Sequence, residues 1–241
     1  MNIAGSGVIP AGEFNEKITV SGSARFSGSV RCPALSIAGS ASGTGSIDCT
    51  GEVRTAGSVY LNGTITAQEL HISGAFRLED ACVLQLLKSA GAAHFHKTLK
   101  AAQVHAAGHL DVQEGIEAEE MTLREGVLQC GGLLNAEHIR LELVRGPSKA
   151  ESIGCGSISV RNAGKRKLGR LLSLFTNRSA GWLEVTEGIE GEELRLEATR
   201  APLVVGDHVS IGKDCVIGLV QYRETVEIHP EARVDRTEKI D

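Results

Sequence analysis

Histidines gather in one stretch of this chain: His71, His94, His96, His105 and His109. His94 and His96 make a His-x-His pair, and a 17-residue repeat sets Asp111 one turn above His94 and Glu79 one turn below His96. Imidazole and carboxylate side by side on an exposed face could hold a divalent metal. Surface charge pairing accounts for the same residues equally well. Six cysteines are scattered without a Cys-x-x-Cys pair, and Cys32 and Cys49 fall in one column of adjacent turns. Their spacing permits a disulfide, yet free cysteine is also a common small core residue, which fits a reducing, cytoplasmic home. The third chemical feature is cationic. Lys165, Arg166, Lys167 and Arg170 interleave with Leu168, Leu171, Leu172 and Phe175 at helical spacing. Between Ser152 and Leu183 the chain has six Arg or Lys and no Asp or Glu. That segment reads either as a short helix packed on the fold with its charges solvated or as a contact patch for an anionic membrane surface. No aromatic stacking platform accompanies the charges, which argues against nucleic acid. No GxxxxGK[ST] loop is present to bind a nucleotide. No catalytic, cofactor-binding or metal-ligating residue is assigned.

What must position these side chains is a repeat. Gly22, Gly39, Gly57, Gly74, Gly91 and Gly108 follow one another at 17 residues, broken once by 18. Self-similarity at a fixed short period is the mark of a solenoid. Four residues before each glycine stand Ile18, Leu35, Val53, Leu70, Leu87 and Val104. Further apolar or small columns lie two, four, eight and ten residues after it, as in Ala24, Phe26, Val30 and Cys32. Apolar positions two apart mark short strands with alternate side chains inward. Three such pairs per turn predict an all-β fold, a single-stranded triangular β-helix of 17–18 residues per turn. A glycine occupies one corner; Gly28, Gly45 and Gly63 occupy a second, where a small residue adopts positive φ without strain. The third corner is shorter and has no fixed glycine. All five clustered histidines fall at outward positions.

The pattern extends over most of the 241 residues, whose net charge is −5. Residues 1–17 read as an imperfect first turn with Ile3 and Ile9 near inward positions and Phe14 closing the core. At the second corner, Asp80, Lys97 and Glu114 alternate in charge over three turns, which favours one register. The stretch Gly-Ile-Glu-Ala-Glu-Glu-Met after Glu114 recurs as Gly-Ile-Glu-Gly-Glu-Glu-Leu after Glu187, so the solenoid resumes after an interruption. Gly146-Pro147 breaks the pattern, and Ile153, Cys155, Ile158 and Val160 recover it. Near the end the period becomes six, with Leu203, Val209 and Cys215 in one inward series and Val205, Ile211 and Ile217 in the other. The expected organisation is a continuous solenoid over 1–162, a basic amphipathic insertion over 163–181, solenoid again over 182–230, and a charged tail over 231–241 that stops the stacking. No opening basic-then-apolar stretch predicts a signal peptide, and no apolar run approaches the roughly 20 residues of a membrane span.

The Gly-x5-Gly corners every 17 residues, as in Gly22-Ser-Ala-Arg-Phe-Ser-Gly28, together with Val209-Ser-Ile-Gly-Lys-Asp-Cys-Val-Ile-Gly218, resemble the bactofilins, polymer-forming cytoskeletal proteins of bacteria. The likeness is closer to the longer, Bacillus-type members. It implies a right-handed β-helix, filaments joined end to end without nucleotide, copolymers with paralogous bactofilins, and association with the inner membrane. The basic insertion departs from the short members, so their membrane motif does not map onto it. The solenoid pattern places the candidate polymer contact at Phe14 near one terminus and at Val220, Tyr222, Val226 and Ile228 near the other. The alternative is a hexapeptide-repeat acyltransferase, a left-handed β-helix enzyme. The hexads near Val205 favour it; the 17-residue turns and the lack of a supported histidine around His208 or His229 do not. Polysaccharide-cleaving β-helices need longer turns and a carboxylate or arginine cluster in side loops, and neither is present.

Overall fold

The computed structural model describes residues 1–144, 146–163 and 181–241. The described residues contain no α-helix, and their strand pairings are parallel, each strand lying on the equivalent strand of the previous turn. The fold is therefore an all-β parallel solenoid. Residue contacts divide the chain into two compact units, Met1–Ala118 and Glu119–Asp241, the division falling within the strand Gly115–Leu143.

In the first unit the register reproduces the repeat. Ile18 pairs with Leu35, Leu35 with Val53, and Ser58 with Ala75. Inward columns are buried from Ile3 and Ile9 to Ile116, including a column at Val20, Ile37, Ile72 and Ala106 that also takes the polar Thr55 and Ser89. The third corner is crossed without breaking the strand, since Ile65–Ile72, Cys82–Ser89 and Leu99–Ala106 each run over it. The single 18-residue spacing is a bulge: Ala67 pairs with Cys49 but Glu69 with Glu52, so Thr50 and Gly51 oppose Gln68 alone.

The glycine corner serves close stacking. A Cβ on Gly57 would lie 1.8 Å from the Gly39 carbonyl oxygen, and one on Gly39 1.9 Å from that of Gly22. No side chain fits between backbones so close. At the second corner Gly45 does take φ of 109°, as expected, whereas Gly28 is not in the positive-φ region. Gly28 is small because Ala11 packs against it, a Cβ there meeting that of Ala11 at 2.8 Å.

The second unit stacks turns of uneven length. Gln129 pairs with Lys149 and Leu143 with Asn162, yet Leu194 pairs with Val209. Gly146-Pro147 does not interrupt it for long. Gly146 turns the chain at φ of 61°, and Pro147 opens the strand Pro147–Asn162, a place where its missing N–H costs least. Ser148 and Ala150 are already buried there, the Ser148 hydroxyl accepting the Leu128 N–H at 3.1 Å. Pro147 also pairs with Trp182. Asn162 thus lies at the end of one described strand and Trp182 at the start of the next. The helix expected over 165–175, with its proposed membrane contacts, lies outside the described residues.

Two expectations for the end of this unit are corrected. The inward residue of the first hexad is Val204, 0 % exposed, between Ile189 and Val220, while Leu203 and Val205 are half-exposed. Ala201 and Val204, three residues apart, are both buried, so the alternation slips by one residue between them. The charged tail does not stop the stacking either. Arg233–Lys239 forms a further parallel strand, pairing Ile217 with Val234, Val220 with Thr237 and Tyr222 with Lys239. Backbone pairing needs no apolar composition, and charged side chains on an edge strand discourage unwanted pairing.

Candidate functional site

The candidate contact residues of the second unit lie on and behind its last strands. Val216–Ile228 pairs along its whole length with Thr199–Ile211 beneath it. The strand Arg233–Lys239 covers only 216–222. Val220 is consequently buried at 0 %, between Val204 and Thr237, and stands behind the surface. Tyr222 is half-buried over Gly206, and its carbonyl accepts the Ile240 N–H at 2.9 Å. Residues 225–228 differ. Val226 and Ile228 continue the columns of Val209 and Ile211, but Val226 is half-exposed and Ile228 is 41 % exposed. Among the described residues no strand pairs with their outer edge. Phe14 belongs to the first unit. Its N–H donates to Arg31 O at 2.8 Å, and the register of Glu13 with Arg31 sets it opposite Cys32, half-buried.

The histidine face is built as the repeat predicts. His94 Nδ1 lies 2.9 Å from Asp111 and His96 Nε2 lies 3.0 Å from Glu79. The rings meet edge to face at 5.3 Å, and Gln113 bridges them, touching His94 Nε2 at 3.4 Å and His96 Nδ1 more closely. All four ring nitrogens are thus engaged by side chains along the face. Arg77 donates to Glu79 at 2.6 Å and stacks on Tyr60 at 5.9 Å. Desolvation pushes the Glu79 carboxyl up, but the Arg77 hydrogen bond and charge, with His96 and His94, hold it below the ordinary carboxylate value. Glu69 is held low in the same way by its bond to His71. This is a charge-paired sheet face, with Lys97 and Glu114 paired at the adjoining corner. His208 and His229 are bound locally, to Thr225 at 3.0 Å and by the Glu231 N–H at 3.0 Å.

Sequence reasoning did not find the polar face of the second unit. There His138 Nδ1 meets Ser157 Oγ at 2.9 Å, in a shallow depression of about 200 Å³ that Arg140, Glu193 and Arg195 also line. The irregular turn lengths hide that column, whose members stand 19 and 36 residues apart. Cys32 and Cys49 do form a register pair, each 2 % exposed.

The fold and these surfaces define a parallel β-solenoid with extended polar faces and an uncovered end strand. No protein-family model matches the chain, and no solved structure matches it. It is similar to two uncharacterized proteins of Bacillus subtilis strain 168. YhbE is 33% identical over 112 residues, 46% of this chain and 45% of YhbE. YhbF is 32% identical over 109 residues, 45% of this chain and 42% of YhbF. The match spans less than half the length of each relative.

Proposed function

We propose that the protein is a structural, self-assembling scaffold, a bactofilin-like filament that forms without nucleotide and without catalysis. One observation carries this reading: the buried columns of Val209 and Ile211 continue into Val226 and Ile228, which are left partly in water beside an unpaired strand edge. Such an edge is a template for another strand, and a second copy of the chain is the natural occupant. Paralogous chains with the same turn geometry would compete for it. The filament would lie in the cytoplasm against the anionic inner face of the membrane, held by Lys165, Arg166, Lys167 and Arg170 with Leu168, Leu171, Leu172 and Phe175. Negative-stain electron microscopy of the purified chain, with and without nucleotide, tests the main claim. Filaments in both samples are expected. A discrete trimer that turns over acyl-CoA would replace the scaffold with the acyltransferase reading.

A further inference from the structure

Of the six cysteines, none is in a disulfide, and Cys32 and Cys49 alone face each other across one register step. Cys82 lies between Ile65 and Leu99, Cys130 pairs with Ala150, and Cys155 pairs with Ala136 and Gly191. Cys215 precedes Val216, whose partners Arg200 and Arg233 set Thr199 and Ala232 beside it. Neighbouring turns of a parallel sheet run about 4.8 Å apart. That is inside the range of roughly 4.4–6.8 Å between the Cα atoms of a disulfide. Both side chains belong to the same inward column, and both are buried.

We propose that Cys32 and Cys49 form a redox-responsive dithiol, closed by peroxide-class oxidants into a disulfide that joins two adjacent turns and reopened by thiol reductants. The chemistry is balanced in two steps. The Cys49 thiolate attacks one oxygen of hydrogen peroxide, giving a sulfenic acid at Sγ and hydroxide. Cys32 Sγ then attacks that sulfur, expels the sulfenic oxygen as water with the Cys32 proton, and leaves the S–S bond.

The local structure assigns these roles. Pairing of the two thiols lowers the Cys49 thiol and raises that of Cys32, and of the two it is Cys49 that stands next to the bulge, so Cys49 is taken as the nucleophile. Cys49 Sγ also reaches Glu52 O at 3.4 Å across the Thr50–Gly51 bulge. The bulge sets Cys49 beside the one irregular corner of the column. Parallel strands point their Cβ atoms the same way, so the bond forms away from its preferred geometry and stays reducible.

The test uses the full chain. Reduced protein is treated with hydrogen peroxide while folded, then denatured, alkylated and mapped by mass spectrometry. The expected result is loss of two of the six alkylatable thiols, a single crosslink between the peptides of Cys32 and Cys49, and full recovery of six after dithiothreitol. Cys32→Ala, which copies Ala67 and Ala101 of the same column, folds and leaves a dimedone-reactive sulfenic acid at Cys49. A crosslink between any other pair, or six unoxidised thiols in folded protein under peroxide that oxidises the denatured chain, overturns the proposal. So does sulfenic acid trapped equally in wild type and variant.

Discussion

A column of glycines is the feature that recurs most strictly, and its cause is local. The Cβ of Gly57→Ala would sit 1.8 Å from a backbone oxygen that cannot move without shifting the turn below. Gly5 belongs to the same column, yet a Cβ there meets nothing within 4 Å. Urea melts should therefore separate the two. Gly5→Ala should change stability by no more than about 1 kcal/mol, whereas Gly57→Ala should exceed the roughly 3 kcal/mol at the top of ordinary overpacking. The spacing of these glycines was legible in the sequence; their reason was not, because positive φ and close stacking leave the same residue behind. On the histidine face the His94–Asp111 and His96–Glu79 pairs were legible, since a constant 17-residue turn fixes which residue lies over which; the Gln113 bridge was not, because register does not set how far a side chain reaches. Its side chains pair with each other on the surface, so His94→Ala with His96→Ala should leave the fold and assembly intact. Glu79 gives a pH signature with a definite sign. Its carboxyl titrates lower when folded than when unfolded, so its contribution is present above the ordinary carboxylate value and is lost as pH falls through the lowered one. Acid thermal melts of Glu79→Gln should consequently be flatter over that range than those of the parent.

Among the elements, the first unit could be drawn from the sequence nearly strand for strand, because its turns keep one length apart from the single bulge. The second could not. Its register steps vary, and a strand such as Arg233–Lys239 offers only Val234 as an inward apolar residue. Alternation is the signal for a strand, and here the partner beneath supplies it. The tail also shows how a charged segment protects an edge while covering Val220. Its first backbone bond, Arg233 N–H to Cys215 O at 2.9 Å, can be removed singly. Arg233→Pro deletes that donor, and should lower stability by about 1–3 kcal/mol. Arg233→Ser should leave it close to wild type. Hydrogen exchange checks the cause: the amides of 233–240 should lose protection in the proline variant alone.

At the scale of the molecule, the proposed function depends on two surfaces that separate experiments can address. The basic segment should make the protein sediment with anionic but not neutral liposomes, less so as salt rises. Replacing Lys165, Arg166, Lys167 and Arg170 with Ser should abolish that without unfolding the solenoid, because Pro147 and Trp182 pair independently of those side chains. Equal binding by the variant would remove the membrane reading and leave the filament untouched. The proposed assembly contact is residues 225–228. A copy that adds a strand there would cover Val226 and Ile228 and satisfy the free backbone edge, with turns about 4.8 Å apart as within the chain. A lysine at Ile228 would place a charge where that contact must become dry, yet 41 % of the present side chain is already in water, so the fold should tolerate it. Ile228→Lys should thus give folded monomers or dimers in analytical ultracentrifugation under conditions where the parent forms filaments. Tyr222 stands over Gly206 and beneath the tail strand, so a charge there tests both the fold and the contact. Phe14→Arg probes the first unit in the same way. Filaments of unchanged length and yield from Ile228→Lys, at matched concentration and salt, would show that the contact lies on another face of the solenoid.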